Sequence, residues 1–137
     1  MSTLQISQRE KDGVTILDLQ GLITMGDSGT HLRRTIGSLV EQDQKRILVN
    51  MAKVAYIDSS GLGELVAGFS AIDDKGGEMK LTQISKRISE LMTITNLVTV
   101  FDIFEDEESA IESFRRLGPN LTTGPLSQPV ANANSIV

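Results

Sequence analysis

Val54-Ala55-Tyr56-Ile57-Asp58-Ser59-Ser60-Gly61-Leu62-Gly63-Glu64-Leu65 is the stretch on which the reading of the fold turns. An apolar run stops at Ile57, two hydroxyls and two glycines follow, and then an amphipathic helical pattern begins. Leu62, Leu65, Val66, Phe69 and Ile72 recur at i, i+3, i+4, i+7 and i+10, one apolar stripe at the helical period. Asp58, Ser59 and Ser60 therefore stand at a helix mouth, where capping residues belong. Gly61 and Gly63 carry no side chain, and the pattern predicts that they leave the first turn open to close approach by another molecule. Glycine costs a helix about 1 kcal/mol per position, so two of them in one turn point to a purpose other than stability. Seryl hydroxyls at the positive end of a helix make a suitable seat for a phosphate.

Working outward towards the N-terminus, Leu4 and Ile6 alternate with polar residues, Lys11-Asp12-Gly13 makes a turn, and Val14 to Leu19 reads as a second, antiparallel strand. Gly21 to Ser28 reads as a loop, with Asp27 or Ser28 able to cap the helix that follows. That helix carries Leu32, Ile36, Leu39 and Val40 on one face and leaves Arg33, Arg34 and Glu41 outside. Arg46 to Met51 holds Ile47-Leu48-Val49, a continuous apolar run suited to a strand buried on both faces.

Towards the C-terminus, Gly76-Gly77 stops the central helix and Glu78 to Ile84 reads as a strand. Ser85 opens a helix with Ile88, Leu91, Met92 and Thr95 inward. A loop from Val98 contains a short edge strand between Phe101 and Phe104. The last helix has Asp106, Glu107 and Glu108 at its start and Arg115-Arg116 at its end, both matching the helix dipole. Its stripe is Ala110, Ile111, Phe114 and Leu117, and Gly118-Pro119 stops it. Residues 119 to 137 are rich in Pro, Asn, Thr, Ser and Gly without a period, and are expected to be a disordered tail. The order is ββαβαβα(β)α, an α/β layout with helices against a mixed sheet. Right-handed crossovers would gather the loops near Gly21 to Ser28 and Ile84-Ser85 around the Asp58 turn.

Composition narrows the function. With 137 residues the chain holds one domain. The lack of cysteine excludes a disulfide framework, a thiol nucleophile and thiolate metal sites. The net charge of −5 and the few aromatic residues argue against direct nucleic-acid binding. No apolar run approaches the roughly 18 residues of a membrane span, and the first residues lack the layout of a signal peptide, so a soluble cytoplasmic protein without membrane insertion is expected. His31 is the one histidine, on the flank of the first helix, so neither a Ser-His-Asp hydrolase nor a metal cluster can be assembled. Val66 stands where a dinucleotide fingerprint needs its third glycine, and no P-loop is present. A phospho-receiver domain would need an acidic pair after the first strand, where Ile6-Ser7-Gln8-Arg9 offers none. Met51, Met79 and Met92 fall in apolar patterns and read as core filler. No enzyme activity, cofactor or metal is expected.

The words Asp58-Ser59-Ser60-Gly61-Leu62-Gly63 after a strand resemble the signature of the STAS domain, in particular of bacterial anti-sigma-factor antagonists. Gly21 ahead of the first helix, Gly76-Gly77-Glu78 at a strand start and Phe101 to Phe104 before the last helix extend the likeness over Leu4 to Leu117. The resemblance implies a mixed four- to five-stranded sheet packed against about four helices over residues 1–117, followed by the tail at 118–137. It carries the phosphoacceptor to Ser59, with Ser60 as second choice and as a partial cap. The partner surface it implies is Thr24, Asp27, Asp58, Ser59, Ser60, Gly61, Leu62 and Gly63. The implied partners are an anti-sigma serine kinase of the ATPase fold and a serine phosphatase. The unphosphorylated form would capture the kinase and free a sigma factor, and phosphate on the serine would end the capture. One departure stands out: relatives often carry Gly-Glu-Leu-Asp after the second strand, and this chain has Gly21-Leu22-Ile23-Thr24. Thr24 keeps a hydrogen-bonding group but loses the carboxylate, which Asp27 could supply, while Leu22 and Ile23 read as core. The alternative is a STAS scaffold subunit of a lipid-transport or stress-signalling complex, in which the same turn is a constant docking surface. A third reading uses the helix mouth as the anion site of a small-molecule or nucleotide binder.

Overall fold

The computed structural model describes residues 3–116. Leu117, the Gly118-Pro119 stop and the expected tail lie outside the described residues. The elements are β1 (Leu4–Lys11), β2 (Val14–Ile23), α1 (Asp27–Glu41), β3 (Arg46–Ile57), α2 (Ser59–Asp74), β4 (Glu78–Thr82), α3 (Lys86–Ile94), a 3-10 turn (Leu97–Thr99), β5 (Ile103–Phe104) and α4 (Glu107–Arg116). The strands form one sheet in chain order, with β1 antiparallel to β2 and every later pair parallel. This is the mixed α/β sheet with helices that the sequence predicts. Asp12 and Gly13 have φ of 54° and 80°, the left-handed pair that a two-residue hairpin needs between right-twisted strands.

The strand order explains how the helices are layered. Three right-handed crossovers stepping the same way across a sheet put α1, α2 and α3 on one face. There Leu32, Ile36, Leu62, Leu65, Ile88 and Met92 pack with Leu17, Leu19, Val49 and Leu81 in the main core. The chain then passes through β5 and lays α4 on the opposite face, where Ala110, Ile111 and Phe114 cover Val14, Ile16 and Leu48. The start of β3 is thus sandwiched, and Ile47, Leu48 and Val49 are all buried, as a continuous apolar run predicts. Met51, Met79 and Met92 are core residues as expected.

Several boundaries differ from the sequence reading, each for a local reason. The second strand runs on through Gly21, Leu22 and Ile23, where a loop was expected, and the third runs past Met51 to Ile57. Their pairing steps from Asp18↔Asn50 to Gln20↔Lys53 and from Gly21↔Val54 to Leu22↔Tyr56, so β3 twice inserts an extra residue. Each bulge breaks the period of two by which a strand is recognised. The fourth strand stops at Thr82 rather than Ile84 because Gln83 turns left-handed, with φ 58°. The first helix is capped by Gly26, with neither Asp27 nor Ser28 in that role. Thr95 is exposed rather than inward: it ends α3, and its hydroxyl donates to the Leu91 carbonyl at 2.8 Å.

Candidate functional site

Parallel β2 and β3 end together at Ile23 and Ile57, and the Asp58 turn follows directly, while β4 stops earlier, at Thr82 opposite Asn50. The Asp58 amide donates to the Ile23 carbonyl at 3.2 Å, so β2 and β3 finish side by side. Asp58 is the N-cap of α2, with extended backbone. Its Oδ1 accepts from the Gly61 amide at 2.8 Å, its carbonyl from Leu62 at 2.9 Å, and its Oδ2 from the Met25 amide at 3.4 Å. One carboxylate thereby caps the helix and ties the β2–α1 loop to it. Capping falls to Asp58 and not to Ser60, which is half-buried in the first turn. Ser59 is the first helical residue, and its side chain is exposed without a hydrogen-bond partner among the described residues.

The two glycines do different things. A Cβ on Gly61 would lie 2.1 Å from the Ile23 carbonyl oxygen and 2.8 Å from Ile57 Cγ1. Gly61 is needed because the first turn of α2 presses on the end of β2, so the expected openness to another molecule does not hold there. A Cβ on Gly63 would meet nothing within 4 Å. Gly63 alone leaves backbone uncovered. Leu62 points the other way, into the core.

The β2–α1 loop is knotted by Ser28. The Thr24 amide donates to Ser28 Oγ at 2.8 Å, and that buried hydroxyl donates back to the Thr24 carbonyl at 3.0 Å. Thr24 is half-buried beside the turn, while Asp27 is exposed on α1 and none of the described contacts ties it to Asp58. Ile23 is core as expected, but Leu22 is exposed. One turn into α2, Glu64 accepts from Arg33 of α1 at 3.0 Å and 2.5 Å. These hydrogen bonds hold the Glu64 carboxyl below the ordinary carboxylate range, with burial opposing them.

Beside Ser59 an open groove of about 460 Å³ runs between the α2 mouth and α3, lined by Tyr56, Asp58, Ser59, Arg87, Leu91 and Ile94 among others. Ile94 is 80% exposed, Met25 77% and Tyr56 46%, so the edge around the turn leaves large apolar side chains open to solvent. Sequence reasoning missed all of these. Ile94 is legible in retrospect, since it lies off the Ile88–Leu91–Met92 stripe, and an off-stripe isoleucine is out of place on a solvated face. Among the described residues no group of His, Cys, Asp or Glu could hold a metal, and no helix is long and apolar enough to cross a membrane.

The model of the STAS domain matches residues 5–110 of this chain. The chain belongs to the STAS domain family. Among its relatives, the anti-sigma F factor antagonist of Paenibacillus polymyxa is 27% identical over 109 residues, covering 79% of this chain and 92% of that protein. The anti-sigma-B factor antagonist of Bacillus subtilis is 33% identical over 81 residues, covering 59% of this chain and 73% of that protein. The fold matches that of the Bacillus cell fate determinant SpoIIAA in its phosphorylated form, with a TM-score of 0.64 at 18% identity, over 81% of this chain and 100% of that one. An anti-sigma factor antagonist from Mycobacterium paratuberculosis superposes with a TM-score of 0.73 at 20% identity, over 82% of this chain and 94% of that one. The STAS fold is therefore shared widely at low identity, and the residues at the helix mouth have to carry the functional argument.

Proposed function

We propose that this STAS protein is an anti-sigma-factor antagonist that captures an anti-sigma serine kinase through the Asp58–Gly63 mouth and is released by phosphorylation of Ser59. The observation that carries the reading is the exposed, unpartnered Ser59 hydroxyl at the first position of a helix already capped by Asp58. Because the cap is made elsewhere, Ser59 can be modified without dismantling the helix start. The names of the relatives, anti-sigma F and anti-sigma-B factor antagonists, support the same class.

The switch follows from charge. Transfer joins Ser59 Oγ to the γ-phosphorus of ATP, breaks the bond to ADP and passes the seryl proton to the kinase. The phosphate adds about −1.5 to −2 charges. The Ser59 and Ser60 amides have no carbonyl within the helix to bond, and the helix dipole favours an anion there, so the fold accepts the group. A kinase docked on the same turn meets a bulky, solvated dianion close to Asp58. Thr24 and the exposed Met25 flank the docking surface, and a serine phosphatase resets it. The protein acts by binding and performs no catalysis of its own.

The test is a phosphotransfer assay. The protein and Ser59→Ala are incubated with ATP and the anti-sigma-type serine kinase encoded nearest to the gene, then weighed intact. One phosphate on the parent and none on the variant is the expected result. Phosphate on both moves the acceptor to Ser60 or elsewhere. Phosphate on neither, with a kinase active on another substrate, favours a constant scaffold surface instead.

A further inference from the structure

We propose that Arg87 is the internal counterion of phosphorylated Ser59, so that modification closes an ion pair across the groove between α2 and α3. The inference rests on the phospho-switch reading of Ser59 and adds the group that receives the phosphate. Ser59 and Arg87 line the same open groove, one at the mouth of α2 and the other in the first turn of α3. Both side chains are exposed, and neither has a partner among the described residues.

The surrounding charges leave Arg87 to this task. Arg33, on the other flank of α2, is committed to Glu64 through two hydrogen bonds. The groove's remaining charged lining is Asp58 and Glu90. The Asp58 carboxylate faces the Gly61 and Met25 amides, and Glu90 lies one turn further along α3. Arg87 is the one cation lining the groove among the described residues. Its planar fork matches two phosphate oxygens, which a lysine would meet only as a point charge.

The pairing changes what the phosphate does. Without phosphate, Arg87 is a free cation beside Tyr56 and Ile94, available to a carboxylate of the docked partner. With phosphate it is neutralised from within the chain, so the partner loses an attractive group as well as meeting a repulsive one. Specificity of this kind works from both sides.

The test uses the full chain with phosphoserine installed at position 59 during translation, which removes any need for a kinase. Phosphorus NMR follows the second ionisation of the phosphate in the parent, Arg87→Gln, Arg87→Lys and Lys86→Gln. The phosphate is expected to titrate about half a unit lower in the parent than in Arg87→Gln, because a nearby cation favours the dianion. Arg87→Lys is expected to recover part of that shift, and Lys86→Gln to leave the parent value unchanged. Equal titration in the parent and Arg87→Gln overturns the pairing, and a shift confined to Lys86→Gln reassigns it to Lys86 and overturns it too. A kinase that fails on Ser59 sinks the switch reading without touching this measurement. Equal titration sinks the role of Arg87 while leaving Ser59 as a substrate.

Discussion

The mouths of α2 and α4 are capped alike and completed in opposite ways. Asp58 Oδ1 accepts from the amide three residues on at 2.8 Å, and Asp106 Oδ1 does the same for Ser109 at 2.7 Å. Beyond the cap, α4 has Glu107 and Glu108 in its first turn. Glu107 is held by Arg9 at 3.1 and 2.5 Å and by Asn50 at 3.0 Å, while Arg9 also grips Asp18 at 2.6 and 3.0 Å. The positive end of α4 is thus answered inside the chain, by a network joining it to β1, β2 and β3. The first turn of α2 has no acidic residue and an exposed serine, and Gly63 just beyond it leaves backbone uncovered. A saturated helix mouth fastens a helix to its sheet. On the function proposed above, an unsaturated one is available to an anion or a partner arriving from outside.

The comparison breaks first at the glycines. Gly61→Ala is expected to lose about 3 kcal/mol in urea unfolding, the upper range for overpacking, because the new methyl meets backbone that cannot yield. Gly63→Ala is expected to gain up to about 1 kcal/mol, since it restores helix propensity in open space. A neutral Gly61→Ala would remove the packing explanation. The next effect is on binding. By calorimetry, phosphate at Ser59 is expected to weaken the kinase complex about 100-fold, roughly 2.7 kcal/mol. The same phosphate is expected to move unfolding stability by no more than about 1 kcal/mol, because it sits at the favourable end of a helix dipole. Phosphate that unfolds the chain would mean that the α2 mouth is not open after all. Smaller still, Asp58→Ala should lose about 1 kcal/mol of stability, the ordinary worth of a cap, and Asp106→Ala should lose stability in the same direction. Of the two, only Asp58→Ala should also alter kinase binding.

Much of this was legible in the sequence, and the misses share a cause. The apolar stripe of α2, the Asp12-Gly13 hairpin and the sandwiched Ile47-Leu48-Val49 run are strong local patterns, and each forms the element it predicts. Asp58 and Ser59 were legible as a helix mouth for the same reason. What the sequence did not convey depends on neighbours far along the chain. Gly61 is explained by the carbonyl of Ile23, the length of β3 by two bulges against β2, and the groove by α3 lying beside Tyr56. No pattern within α2 announces that Arg87 lines the groove beside its mouth. The split between Gly61 and Gly63 is the sharpest case: two identical residues two positions apart, one fixed by internal packing and one open.

The smallest expected effect is a difference in acid sensitivity at the two mouths. Hydrogen bonds from Arg9 lower the Glu107 carboxyl, with Asn50 assisting and burial opposing, and the Ser109 amide lowers that of Asp106. A carboxyl lowered in the folded state stabilises the fold above its unfolded value, near 4.3 for glutamate, and loses that contribution as pH falls through the folded value. Glu78 has the opposite sign: burial raises its carboxyl, so its contribution is present at low pH and lost as pH rises through the raised value. Whole-protein acid curves mix these signs, so the measurement is a difference between the parent and Glu107→Gln. At neutral pH the parent should be more stable by under about 1 kcal/mol, because Arg9 is partly exposed and solvent screens the pair. Below pH 4 the gap should close, since the parent then loses an ion pair that the variant never had. Glu64→Gln, which removes the Arg33 pair beside the α2 mouth, should show the same sign with a smaller gap, because Arg33 is more exposed than Arg9 and Glu64 lacks a second donor like Asn50. A larger gap for Glu64 than for Glu107 would mean that the α2 mouth is the more firmly fastened of the two, and that the contrast drawn from the geometry runs the wrong way.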